Sequence, residues 1–186
     1  MFTNNYIAYK RGRFFYTSPY VVDFEGVERQ FIITQYEVSH YLHDIGDYMK
    51  VARCQELVST VTNNSQYTGV YFGTGPTAPT KEDYRLESPI TTGLNIINPD
   101  GIVSEENGNG QYVFSTTFLV ENTTENEMNI WEVGLFGQAV TYASSSRTNY
   151  PVLFDRQVFT EPVNLQPGER KLVTYKITFN QTLNVD

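Results

Sequence analysis

The sequence predicts an all-β protein: an antiparallel β-sandwich, jelly-roll or immunoglobulin-like, with an extended N-terminal arm and one short helix. Three observations carry this. Near the C-terminus Val173, Tyr175, Ile177 and Phe179 alternate with Thr174, Lys176, Thr178 and Asn180, and that period of two is the mark of a half-buried strand. Eight or nine such segments, separated by Gly, Pro and Asn turns, recur at spacings suited to a sandwich. Composition agrees: aromatic residues make up 15% of the chain and charged residues only 18%, a balance that favours strands over charge-covered helices.

In chain order, residues 1–36 are aromatic and irregular, broken by Gly12, Pro19 and Gly26, and read as an extended arm with short strands around Arg13 to Tyr16 and Gln30 to Thr34. From Val38 to Ala52, Leu42, Ile45, Met49 and Ala52 recur at steps of three and four, which predicts a short helix capped by Ser39. Glu56 to Val61 and Tyr67 to Phe72 predict a hairpin around Asn63 to Gln66. The stretch from Gly73 to Thr80 has two further interruptions in Pro76 and Pro79 and predicts an exposed loop. Thr80 and Asp83 then offer a cap for one helical turn through Tyr84.

A strand is expected from Gly93 to Ile97, followed by an Asn98-Pro99-Asp100-Gly101 turn in which Pro presets the second position. Past a break at Asn107 to Gly110, Tyr112, Phe114, Phe118 and Val120 share one face of a long strand interrupted by Thr116. Asn122 to Asn126 closes it. Strands over Asn129 to Phe136, Val152 to Phe159 and Lys171 to Asn180 complete the set, with a mobile loop at Tyr142 to Tyr150 and a tight turn at Pro167-Gly168. This divides the chain into an arm and helix over residues 1–50 and a sandwich over 51–186.

The 186 residues are enough to bury a core of one domain. A net charge of −8 argues against nucleic-acid binding through counterion displacement, which needs a basic surface. One local exception is Lys10, Arg11 and Arg13 set among Tyr6, Tyr9, Phe14, Phe15 and Tyr16. That cluster reads either as an interface docking on an acidic protein surface or as a plain edge strand. Cys54 is the single cysteine, which excludes an intramolecular disulfide framework and suits a small buried hydrophobe. No stretch approaches the ~20 apolar residues of a membrane span, and Met1 to Asn5 lacks a basic region followed by an apolar one, so a cytosol-like compartment and no membrane partner are expected. Two Asn-x-Ser/Thr matches, at Asn63 and Asn122, are accidental in that setting.

Chemistry has few footholds. His40, His43, Asp44 and Asp47 are the densest group of potential metal ligands, two histidines sharing a helix face at a spacing of three, but a third ligand is undefined and no metal is expected. Gly73-Thr74-Gly75 is no phosphate cradle, because no Gly-Lys-Ser/Thr follows and Pro76 and Pro79 remove amide donors. Glu132 and Asp155 interrupt apolar strands and are the obvious pair for a glycosidase, which needs two carboxylates facing each other across a cleft. Arg156 beside Asp155 argues instead for strand residues facing solvent or a local partner. Cys54 has no base near it in sequence and there is no Gly-x-Ser-x-Gly elbow, so no enzyme and no cofactor are expected.

Three segments in fixed order carry a resemblance: Gly73 to Ile90 with its Gly-Thr-Gly-Pro opening, Trp131-Glu-Val-Gly-Leu-Phe136, and Pro151 to Pro162 followed by Leu165 to Glu169 and the final strand. Together, over residues 54–181, they resemble small β-sandwich structural proteins of tailed bacteriophages, the group of capsid decoration (cement) proteins and head or tail fibre modules. The resemblance implies a non-enzymatic virion component made in the host bacterial cytoplasm. Its partners would be the major capsid protein or other virion proteins, and copies of itself in a homo-oligomer, often a trimer. A fibre or receptor-binding module is the alternative, with the loops at 63–66, 107–110 and 143–149 meeting host glycans.

Overall fold

Alternation at period two becomes two facing sheets in the computed structural model, which describes residues 1–15, 20–30, 48–57, 68–97, 103–107, 111–143 and 146–180. One four-stranded sheet runs in the order β3 (Ala52–Arg53), β4 (Gly69–Gly73), β8 (Met128–Ala143), β9 (Ser146–Leu165). In the other, β7 (Gln111–Asn122) is central, with β10 (Arg170–Asn180) on one side and both β5 (Leu94–Ile97) and β6 (Val103–Asn107) on the opposite side. A small hairpin of β1 (Tyr20–Val22) and β2 (Glu28–Gln30) and the helix α1 (Asn4–Phe15) lie against this framework. The all-β, sandwich-like expectation is met.

Strand faces follow the sequence closely. On β10, Val173, Tyr175 and Ile177 are buried, while Leu172, Thr174, Lys176 and Thr178 between them are exposed. On β7, Thr116, Phe118 and Val120 are buried on the face predicted for them. Phe72 of β4 meets Phe118 of β7 edge to face at 6.0 Å, so the aromatic pair joins the two sheets across the core. The Pro167-Gly168 turn forms as expected, with Gly168 at a φ of 74° that suits glycine.

Three expectations are corrected and one strand is added. The N-terminal arm is not extended: residues 4–15, including the strand expected from Arg13, are helical. Phe2, Tyr6 and Tyr9, at steps of four and three, form one face of this turn-and-helix, and Tyr6 and Tyr9 pack on Phe154 with ring separations of 5.7 and 4.8 Å. Glu56 and Leu57 are not in a strand; β4 instead pairs in parallel with β3 and antiparallel with β8. The loop expected over Tyr142 to Tyr150 is mostly strand, since β8 and β9 pair out to Ala143 and Ser146. β6 is a strand the sequence does not announce; three of its five residues are Glu105, Glu106 and Asn107, which hide the apolar alternation.

Of the predicted helix over Val38 to Ala52, Tyr48 and Met49 are helical and Ala52 opens β3; residues 38–47 lie outside the described residues. So do the Asn63 to Gln66 turn, the Asn98 to Gly101 turn and, of the strand expected over Gln30 to Thr34, residues 31–34. The buried core draws Tyr6, Tyr9, Val21, Tyr48 and Met49 together with the inner residues of both sheets, so side chains from each side of the predicted boundary at 50/51 share it.

Candidate functional site

Glu132 and Arg156 point outwards from neighbouring strands of the β3-β4-β8-β9 sheet, yet neither reaches solvent: they are 0% and 3% exposed. The cover is the Gly73 to Ile90 segment, which folds back over the sheet. Its β-like contacts, Thr74 N to Ser88 O and Ile90 N to Phe72 O, both 2.8 Å, turn it into a closed flap. Thr80 and Asp83 are joined as the predicted cap suggests, Asp83 accepting from the Thr80 amide at 3.0 Å and the Thr80 hydroxyl at 2.8 Å, but they close a turn and no helix follows. Leu86 then drops onto Tyr71, Phe136 and Leu153, a second apolar cluster on the outer side of the sheet.

The Glu132 carboxylate holds the flap by its backbone. It accepts from the amides of Ser88 (2.8 Å), Glu87 (3.1 Å) and Gly75 (3.3 Å), and from Arg156 Nε at 2.8 Å. Arg156 is used up in turn: Nη1 meets Asp83 at 2.9 Å and Nη2 meets Glu87 at 3.5 Å. Charge-assisted bonds of this type are about twice as strong as neutral ones. Gly73 is needed where the flap begins, because a Cβ there would run into the Glu132 carboxylate and lie 2.7 Å from Ser88 O.

Charge perturbations match this arrangement. Burial pushes the Asp83 carboxyl up, but the Thr80 amide and Arg156 outweigh it and hold it below its ordinary value. Glu87 is lowered by the Thr77 amide and hydroxyl, with Arg156 adding to the effect. Burial works against the Arg156 charge, and the bonds to Asp83 and Glu132 more than offset it.

Asp155 sits on the other face of the same sheet. Leu135 pairs with Asp155 and Phe136 with Leu153, so Phe154 is an extra residue, and this bulge turns Asp155 inwards. Inside, Asp155 accepts from Tyr175 Oη at 2.7 Å and forms an ion pair with the Met1 amino group at 3.0 Å. Burial and the Asp155 charge push the Tyr175 hydroxyl well above the usual tyrosine range, which keeps it a donor. Met1 to Thr3 lie along the same stretch of β9, with Thr3 N donating to Phe154 O at 3.0 Å and Thr3 Oγ1 to Leu153 O at 2.6 Å.

Of the two settings expected for Glu132 and Asp155, solvent or a local partner, the structure corrects the first and gives the second: both are buried and bonded to partners. Lying on opposite faces of one sheet, they cannot flank a substrate bond together. Sequence reasoning missed the clamp because a strand carboxylate reads as a surface residue until the distant segment that covers it is known.

The N-terminal interface residues fare differently from their reading as a docking arm. Tyr6 and Tyr9 are buried in the chain's own core, and Lys10 lies 5.6 Å from the Tyr6 ring. Of Arg11, Arg13, Phe14 and Phe15 only the helical backbone is described, and Tyr16 lies outside the described residues, as do His40, His43, Asp44 and Asp47. Cys54 is half-buried, and burial raises its thiol pKa, the reverse of an activated nucleophile. Among the described residues no group of three or more His, Cys, Asp or Glu could hold a metal, and no helix is long and apolar enough to cross a membrane.

Beside the flap lies a groove of about 380 Å³ floored by Phe24, Leu57, Tyr71, Leu86 and Phe136, with Glu25, Glu56 and Arg85 among its polar lining. Compared with protein-family models, curated proteins and solved structures, the chain matches none.

Proposed function

We propose that this chain is a non-enzymatic virion structural protein of a tailed phage, a decoration protein that binds and stabilises the assembled head together with copies of itself. One observation carries the reading. The three segments on which the phage resemblance rests, far apart in sequence, meet at one place: the flap from Gly73 to Ile90 is locked by Glu132 of the Trp131 to Phe136 segment and Arg156 of the Pro151 to Pro162 segment. A shared sequence order that encodes one clamped flap is a constraint on shape, as expected of a part that must fit a particle surface. Glu132 and Asp155, the candidate pair for glycan cleavage, are both engaged in structural bonds, which supports the non-enzymatic reading.

The test is binding of the purified chain to phage heads that lack it. Saturable binding at a fixed number of copies per head, with greater resistance of the heads to heat or low salt, is the expected result. Heads that neither bind the chain nor gain resistance would sink the proposal, and binding to host cells in place of heads would move the chain to adsorption.

A further inference from the structure

We infer that the outer face of the sheet built on β7 is a two-fold contact between two copies of this chain. Register defines the face. Ile97, Leu119 and Leu172 lie side by side across β5, β7 and β10, an apolar row running straight across the sheet. Leu172 is 71% exposed and Ile97 50%, the former the most exposed large apolar side chain among the described residues. The next row is Thr117 and Thr174, whose hydroxyls bond each other at 2.9 Å, and beyond it come Val103, Ser115 and Lys176.

The occupant follows from charge. The face carries Glu105 and Glu121 against Arg170 and Lys176, so it is neutral on a chain whose net charge is −8. A second acidic copy can approach here without the repulsion it meets elsewhere. Glu121 is already matched, accepting from Arg170 and from Asn95, both at 3.1 Å. Lys176 and Glu105 lie on opposite sides of β7, in adjacent rows.

A two-fold axis running along β7 brings these rows together, with Glu121 meeting its own copy and an Arg170 beside each. It stacks each apolar row on its own copy, Leu119 against Leu119 and Leu172 against Ile97, and brings Lys176 of one chain beside Glu105 of the other, twice. From Val113 to Glu121, three strands wide, the face covers about 400 Å². Standard stable interfaces bury about 800 Å² per partner, so the dimer is a weak one, in the micromolar range. The inference rests only on the self-association in the proposed function and is independent of what the chain binds.

Sedimentation velocity of the full chain, free of heads, from about 1 to about 200 μM tests it. A monomer–dimer equilibrium is expected, weakened about a hundredfold by Leu172→Glu because each substitution counts twice across the axis. Lys176→Glu and Glu105→Lys should each weaken it, and the two combined in one chain should restore it. Unfolding midpoints close to that of the parent, expected at such exposed positions, separate lost contact from lost fold. A chain that stays monomeric throughout, a species of three copies, or association indifferent to Leu172→Glu overturns the inference. Head binding by a Leu172→Glu chain is read separately, so the two proposals fail by different results.

Discussion

Glu132 shows how much one buried side chain can organise. Three flap amides and a guanidinium converge on its two oxygens, so removing the carboxylate leaves three amides and Arg156 Nε without their acceptor, while Asp83 and Glu87 still hold the rest of the guanidinium. At about 1 kcal/mol for each amide left without an acceptor, the loss comes to about 3 kcal/mol. Glu132→Ala should lose that much in urea unfolding and speed hydrogen exchange at the Glu87 and Ser88 amides; unchanged exchange there would mean that the flap is held without the Glu132 bonds. Thr116 predicts the opposite sign. Its hydroxyl is buried in the apolar face of β7 with no hydrogen-bond partner among the described residues. Thr116→Val, which keeps the shape and removes the orphaned hydroxyl, should stabilise the fold by about 1 kcal/mol in the same assay.

At the scale of elements, much of the strand pattern was legible. The faces of β7 and β10 could be read directly because one side of each meets the core and the other meets water. β8 and β9 were harder to delimit, since β8 is buried over Glu132 to Gly137 and β9 over Tyr150 to Arg156, where continuous burial erases the alternation. The α1 helix was hidden by its composition: Gly12 and many aromatics suggest extended chain, and only the Phe2, Tyr6, Tyr9 spacing betrays the helix, with its face against Phe154. Contact between neighbouring elements also explains Gly137. A methyl group there would run into the Phe154 ring that supports α1. Gly137→Ala should therefore cost about 1–3 kcal/mol by overpacking, measured as a lower denaturant midpoint, and loosen the Tyr6 and Tyr9 environment in near-ultraviolet circular dichroism.

For the whole molecule, pH dependence combines groups from both sheets. Asp83 and Glu87 on the flap, with Glu121, Glu127 and Glu169 elsewhere, all have carboxyl pKa values lowered by folding. The unfolded chain binds more protons near their ordinary values of 3.8 for Asp and 4.5 for Glu, so their stabilisation is present above that range and lost as pH falls through it. Tyr175 and Cys54 have the reverse sign: their raised pKa values give stability that is present below the ordinary values of 10.0 and 9.0 and lost as pH rises beyond them. Urea midpoints should thus hold a plateau between about pH 5 and about pH 9 and fall on either side. Asp83→Asn should soften the acid limb, and Tyr175→Phe should soften the alkaline one, leaving the part due to Cys54; a midpoint unchanged between about pH 5 and about pH 3 would contradict the assignment of the flap bonds.

By itself the sequence determined the fold class, the core faces of β7 and β10, the Thr80 and Asp83 turn and the Pro167-Gly168 turn, because each depends on residues close together along the chain. Only the tertiary structure decided that the Gly73 to Ile90 segment closes over Glu132 and Arg156, that a bulge at Phe154 turns Asp155 inwards, and that Ile97, Leu119 and Leu172 line up across three strands. Burial of a charge and the alignment of a surface row both depend on which distant segments meet, and periodicity within one strand carries no record of its neighbours.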